Sequence, residues 1–339
     1  MKRYTLKSLG DEGKEVCPEE IDEPGLDDSS VRVKIEACSL NYRDLLMKSG
    51  KSASGGEAPV VPLSDGAGVV TEVGSGVENW VEGDRVALTF FRDWETGRFD
   101  MKYHKAARGG SCDGVLAETV VAPAHSLVRV PEYLSTLEAA TLPCAAVTAW
   151  HALFERRSPV REGDTVLCLG TGGVSIFALQ LAKAAGARVI VTSSSDRKLA
   201  LASDLGADEL INYRENPEWD KAVFDLTGGR GADHVLEVGG PGTIKRSMNS
   251  VAAGGSIALI GVLTGFSAPD ASLFPLVTRN VDLSGIYVGS REMFERLTGF
   301  MVKHQIRPVI DQVFGFDDAV AGYKALEEAG HLGKIAIEV

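Results

Sequence analysis

The sequence predicts an α/β chain: a doubly wound parallel sheet with helices on both faces, joined to a mainly antiparallel β domain. Three observations carry this expectation. A glycine turn, Gly170-Thr171-Gly172-Gly173-Val174-Ser175, lies between an apolar strand and an apolar helix; further strands follow at helical spacing; and the residues before the turn alternate in short strands broken by glycines.

Along the chain, residues 31–37 (VRVKIEA) alternate as a half-buried strand, 66–73 (GAGVVTEV) form a glycine-started strand, 83–86 (GDRV) turn into another, and 114–121 give a further one. Residues 164–169 (DTVLCL) read as a buried strand and 174–185 as a helix closed by Gly186. A second strand at 188–192, a helix containing 199–205 and a third strand at 209–213 (ELINY) continue the rhythm. Strands at 233–238 (DHVLEV, before Gly239-Gly240), 256–262 (SIALIGV) and 281–288 (VDLSGIYV) extend it. A helix around 317–329 precedes 333–339 (GKIAIEV), a last strand expected to return to the β domain. Two such domains leave a cleft, the usual place for a substrate. Residues 50–59 (GKSASGGEAP) read as a small-residue loop.

At 339 residues and 44% hydrophobic, the chain has enough apolar material for two cores. It contains no run of about 18 apolar residues, so no membrane span is expected, and its first residues lack the apolar stretch of a secretory signal, so a cytoplasmic location is. The net charge of −12 disfavours nucleic acid as a partner. Cys17, Cys38, Cys112, Cys144 and Cys168 form neither an even set nor a C-x-x-C pair, and read as reduced thiols.

The glycine turn suits a pyrophosphate. Glycines let the backbone approach the phosphates, and the unpaired N–H groups and positive dipole end of the helix hold the anion. Gly170, Gly172, Gly173 and Val174 are therefore the candidates for holding a dinucleotide on a Rossmann-type sheet, with Ser175 in place of the last glycine of the usual pattern.

Several segments, in their order and spacing, resemble the medium-chain dehydrogenase/reductase superfamily, and among its members the zinc-free, quinone-oxidoreductase-like ones. They are Leu40-Asn41-Tyr42-Arg43-Asp44, residues 62–70 (PLSDGAGVV), 83–86, 142–150 (LPCAAVTAW), the glycine turn, and 285–290 (GIYVGS). The resemblance spans essentially the whole chain. It implies a groES-like catalytic domain over 1–146, with a β-barrel, a Rossmann dinucleotide-binding domain over 147–290, a C-terminal return over 291–339, and hydride transfer from a nicotinamide. It also implies a homodimer or homotetramer acting on a small-molecule substrate.

By the same resemblance, the zinc alcohol dehydrogenases begin the segment that here starts at Asn41 with a cysteine, and carry His-Glu where Ser64-Asp65 stands; a third ligand corresponds to Cys144. One cysteine and one carboxylate are too few for a catalytic zinc, which takes three protein ligands, so no zinc is expected. The four-cysteine lobe of a structural zinc is missing too, since residues 90–112 hold a single cysteine.

Without a Lewis acid, hydride delivered to a simple ketone leaves an alkoxide that is hard to stabilise. Delivered to a quinone or to the β-carbon of an enone, it leaves charge spread over a conjugated system, for which hydrogen bonds suffice. Asn41 is the leading candidate to polarise the substrate oxygen, with Tyr42, Ser64 and Asp65 as further catalytic candidates. Asn41 equally suits the N-cap of a helix beginning at Tyr42, and Asp44 suits that helix's first turn.

Cofactor choice is read at the end of the second strand, where an NAD enzyme places a carboxylate on the ribose hydroxyls. Here Ser193, Ser194 and Ser195 follow Thr192, and Lys198 with Tyr213 can complete a 2′-phosphate pocket, which favours NADPH over NADH, although Asp196 lies close. Gly261 belongs to the cofactor-binding set. The resemblance further implies that Thr148 packs near the nicotinamide, that Val288 to Ser290 pass its carboxamide, and that Lys334 lies near the phosphates.

An NADPH-dependent reductase of quinones or α,β-unsaturated carbonyls is the leading expectation. The alternatives are an alcohol dehydrogenase of the zinc-type family and a non-catalytic NADPH-binding protein, the latter because some quinone-reductase relatives serve as lens proteins or RNA binders.

Overall fold

A computed structural model describes residues 1–10, 13–50, 59–267 and 271–339. The small-residue loop expected at 50–59 falls largely outside them. The described chain divides into two compact units, Met1–Val147 with Gly289–Val339, and Thr148–Val288.

The first unit begins with a two-stranded antiparallel ribbon, β1 (Lys2–Ser8) and β2 (Lys14–Glu20). Then come β3 (Ser30–Leu40), helix α1 (Tyr42–Lys48), β4 (Asp65–Val73), β5 (Arg85–Leu88), β6 (Thr119–Pro123), β7 (Leu127–Arg129) and a single turn α2 (Thr136–Ala139). In the second unit, α3 (Val147–Phe154), which starts at its border, is followed by β8 (Thr165–Leu169), α4 (Gly173–Ala184), β9 (Arg188–Ser193), α5 (Asp196–Asp204), β10 (Glu209–Asn212) and α6 (Trp219–Leu226). It continues with β11 (Ala232–Glu237), α7 (Ile244–Ser250), β12 (Val251–Leu259), α8 (Phe274–Thr278) and β13 (Asp282–Gly285). The chain returns to the first unit with α9 (Arg291–His304), β14 (Ile310–Gly315), α10 (Ala319–Glu327) and β15 (Lys334–Glu338).

The first unit's main sheet runs β14-β15-β3-β4-β5-β7, with β6 also on β3. All its pairings are antiparallel except β14 on β15. The long, mostly buried β3 is its spine, and β4 crosses it closely enough that a Cβ at Gly68 would lie 1.9 Å from the Lys34 carbonyl oxygen. That contact explains a glycine in mid-strand. β15 lies antiparallel on β3, with Ile335 opposite Leu40, so the C-terminal strand returns to the β domain as expected. The strand expected over 114–121 is shorter and later, because residues 114–116 instead hydrogen-bond back to Val61, Pro62 and Leu63.

Residues 90–112 carry a cluster of packed rings. Trp94 stacks on Tyr103 at 5.9 Å between centroids and meets Phe91 and Phe99 edge-on at 5.8 and 5.1 Å, and Phe99 meets His104. Such aromatic pairs cohere beyond their area alone.

The second unit is a parallel sheet of order β10-β9-β8-β11-β12-β13. This is the doubly wound order, whose switch point lies between β8 and β11. β8 is buried at every position, as a central strand covered on both faces must be. The strand expected over 281–288 stops at Gly285, and three residues later Val288 adopts φ +53°. No helix among the described residues is long and apolar enough to cross a membrane.

Candidate active site

In the second unit the turn after β8 has the geometry its glycines suggest. Gly170 sits at φ +74°, a conformation only glycine enters without strain. Gly172 is the N-cap of α4, at φ −77°, and a Cβ placed there would meet nothing within 4 Å. The open space at Gly172 is therefore not required by the protein's own packing. Gly173 and Val174 begin α4, where N–H groups lack helical partners. Ser175, instead of a third glycine, turns its hydroxyl back to donate to the Leu169 carbonyl at 2.7 Å.

At the end of β9, Ser193 is buried and its hydroxyl accepts from the Ser195 N–H, while Ser195 caps α5 by accepting from the Lys198 N–H. The Tyr213 N–H donates to the Ser193 carbonyl at 3.0 Å, which sets Tyr213 beside the serine run with its ring partly exposed. Asp196, the acid nearest this corner, accepts from the Asn212 amide at 2.7 Å.

Other expected cofactor residues have local duties of their own. Gly261 lies so close to β11 that a Cβ would approach the Val238 carbonyl oxygen to 1.8 Å. Thr148 is buried, and Ser290 caps α9 by accepting from the Met293 N–H. The Val288 carbonyl accepts from His151 Nδ1 at 2.7 Å, and burial pulls the His151 pKa down. A valine at positive φ is strained, and His151 is one contact that holds it there. Glu237, fully buried at the end of β11, accepts from the Gly239 and Gly240 N–H groups at 2.8 Å each and from Thr243 and Ser247, fixing the loop on the other side of the switch point. Neither His151 nor Glu237 belongs to a sequence pattern that would single it out.

In the first unit, residues far apart in sequence meet around Lys334. Because β15 pairs with β3 at Ile335 and Leu40, the residue beginning β15 is delivered beside Asn41. Lys334 is 2% exposed; its ammonium donates to the Leu40 carbonyl at 2.7 Å and to Asn41 Oδ1 at 2.6 Å, and lies 3.6 Å from Asp65 Oδ2. Strand pairing turns the Lys334 side chain into the β domain, where three oxygens hold it.

Asn41 is the N-cap residue of α1, in a capping box with Asp44, whose carboxylate accepts the Asn41 N–H at 2.8 Å. Its Nδ2 is buried and has no hydrogen-bond partner among the described residues. The cap and the polarising donor are compatible, since Oδ1 faces inward and Nδ2 remains. Tyr42, the first residue of α1, is the more exposed candidate, whereas Ser64 and Asp65 are wholly buried. The Ser64 hydroxyl donates to Asp65 Oδ1 at 2.7 Å, and the Cys144 N–H, from a π-helical turn at Leu142–Ala146, approaches Asp65 Oδ2 at 3.3 Å. Leu63, just before this pair, is held at φ +66° and packs closely against Gly109 and Gly114.

Burial pushes the Asp44 carboxyl up to about 6, against the pull of Arg43 and the Asn41 N–H. The folded state therefore binds the proton more tightly than the unfolded chain, so the stability this group contributes falls as pH rises from about 4 to about 6. Relative to wild type, Asp44→Asn is expected to gain stability over that window, by at most about 3 kcal/mol. Urea titrations at several pH values check this; parallel curves would contradict it.

Comparison with known proteins agrees with this architecture. The alcohol dehydrogenase GroES-like domain family matches residues 27–132, and the zinc-binding dehydrogenase family matches 173–303. A zinc-type alcohol dehydrogenase-like protein of Schizosaccharomyces pombe is 44% identical over 95% of this chain and 94% of its own length. The chain belongs to the medium-chain dehydrogenase/reductase superfamily. A 2-methylene-furan-3-one reductase of Solanum lycopersicum is 33% identical over 93% of this chain and 73% of its own. A solved NAD-dependent alcohol dehydrogenase superposes with TM-score 0.88 at 33% identity, covering all of both chains. As a member of this superfamily the protein is an NAD(P)H-dependent oxidoreductase.

Zinc, which the family's description implies, does not suit the residues at Asn41, Ser64, Asp65 and Cys144. Asn41 Oδ1 is committed to an ammonium, Ser64 is a weak donor committed to Asp65, and burial drives the Cys144 thiol away from the thiolate a metal needs. The Lys334 charge beside Asp65 would repel a second cation.

Proposed function

We propose that this protein reduces quinones or α,β-unsaturated carbonyls with NADPH and without a metal. The observation that carries this is the pairing of Lys334 with Asn41, which sets a tethered cation beside Asn41 and Asp65 and leaves a buried amide donor with no partner among the described residues. Gly170 to Val174 would hold the dinucleotide, which would supply a hydride. Asn41 Nδ2 donates to the substrate oxygen, and Lys334 polarises that amide from behind. As the hydride adds to the conjugated system, an electron pair moves onto this oxygen, and a proton from solvent completes the product. Asp65 balances the Lys334 charge. The tomato relative, a 2-methylene-furan-3-one reductase, is consistent with such a substrate. A panel of quinones, enones and alcohols assayed with both cofactors tests the proposal; turnover of alcohols alone would overturn it.

For the cofactor, the serine run at Ser193 to Ser195 and the engagement of Asp196 by Asn212 support NADPH. NADPH is expected to bind at least about tenfold tighter than NADH, a difference of about 1.4 kcal/mol that one charge-assisted phosphate contact can supply. Nicotinamide fluorescence titration measures it, and equal affinities would contradict the phosphate pocket of Ser193, Ser194, Lys198 and Tyr213. A homodimer or homotetramer is part of the same proposal, supported by exposed Phe266, Leu273, Phe274 and Val277 leading into the edge strand β13.

A further inference from the structure

The geometry points to Lys334 as a positioning residue that fixes which end of the Asn41 amide meets the substrate, and so restricts the site to oxygens that accept hydrogen bonds. This rests on the function proposed above and adds a direction to it. An ammonium carries donors only, so at 2.6 Å the Asn41 atom facing Lys334 must be Oδ1; a flipped amide would set NH2 against NH3⁺. Lys334 cannot easily withdraw, because it is buried and also held by the Leu40 carbonyl and by Asp65.

The outward end is therefore a donor, and it is buried and unpartnered among the described residues. An orphaned buried donor carries a desolvation penalty, which a ligand acceptor at that atom would recover. A carbonyl oxygen fits, and the fit improves as negative charge develops on it during reduction. An alcohol awaiting oxidation must give up its hydroxyl proton, and Asn41 offers it no acceptor. Lys334 thus keeps a donor, and not an acceptor, facing the substrate oxygen.

Three variants separate this from a structural lysine-asparagine contact. Asn41→Asp keeps an oxygen on Lys334 and strengthens the ion pair, so the melting temperature should hold or rise, yet kcat for cyclohex-2-enone with NADPH should fall about a hundredfold or more because the donor is gone. Lys334→Met frees the amide to flip and should raise KM for the enone about tenfold. Lys334→Arg, which also presents only donors, should restore part of that loss. Wild-type kinetics in Asn41→Asp or Lys334→Met would overturn the assignment. Side-chain amide NMR of asparagine-labelled protein reads orientation without turnover. The Asn41 NH2 signals should shift when cyclohex-2-enone is added to wild type and respond less in Lys334→Met. If wild type reduces no carbonyl, the function proposed above fails, while the NMR comparison still decides the role of Lys334; unchanged signals on Lys334→Met substitution would refute it.

Discussion

Alanine at Asn41 is expected to lower turnover by about tenfold to a thousandfold, or about 1.4 to 4 kcal/mol of transition-state stabilisation, with the upper part of that span matching the loss of one oxyanion donor. Its Nδ2 is a buried donor with no partner among the described residues, and its Oδ1 carries Lys334, so the substitution removes the donor and one support of the cation together. Stability should fall as well, by about 1 kcal/mol, because the buried Lys334 ammonium loses the Asn41 Oδ1 acceptor. Stopped-flow and steady-state kinetics beside thermal melts separate the two effects. A variant that melts lower but turns over normally would reduce Asn41 to a helix cap.

Valine at Gly172 should abolish dinucleotide binding, by about a hundredfold or more in affinity, and leave the fold nearly intact. The φ of −77° suits any residue and a Cβ there meets nothing within 4 Å, so the protein gains no clash of its own. The side chain would instead fill the space into which a pyrophosphate must come. Valine's lower helix propensity at the start of α4 costs little. Calorimetric titration with NADPH measures the loss, and normal binding would show that the cofactor has been put in the wrong place. Gly170, at φ +74°, should behave oppositely, losing stability before affinity.

The parallel sheet was legible because β8 is a continuous apolar run ending in glycines, and its buried pattern and turn geometry follow from those residues. β1, β2 and β14 were not singled out. KEVCPEE in β2 and IDQVFG in β14 interleave apolar with charged or amide residues at half-exposed positions, so their hydrophobic signal is thin. The aromatic packing within residues 90–112 could not be derived because those rings cohere with one another at no helical or strand period.

At the candidate site, Asn41 and Asp44 are visible from a helix-start pattern of three-residue spacing. The inward turn of Lys334 is not, because it depends on the register of β15 against β3, and its partner carbonyl stands 294 positions earlier in the chain. His151 and Glu237 escaped for a related reason. Each is defined by the backbone groups it holds, and neither carries a local spacing that announces them.

The most direct measurement of the central claim is the zinc content of the purified protein alongside its activity before and after chelation. Far less than one zinc per chain is expected, with NADPH-dependent reduction of a quinone or enone unchanged by chelator, because the Lys334 ammonium already occupies Asn41 Oδ1 and lies beside Asp65. Stoichiometric zinc, together with alcohol oxidation that chelators abolish, would contradict it.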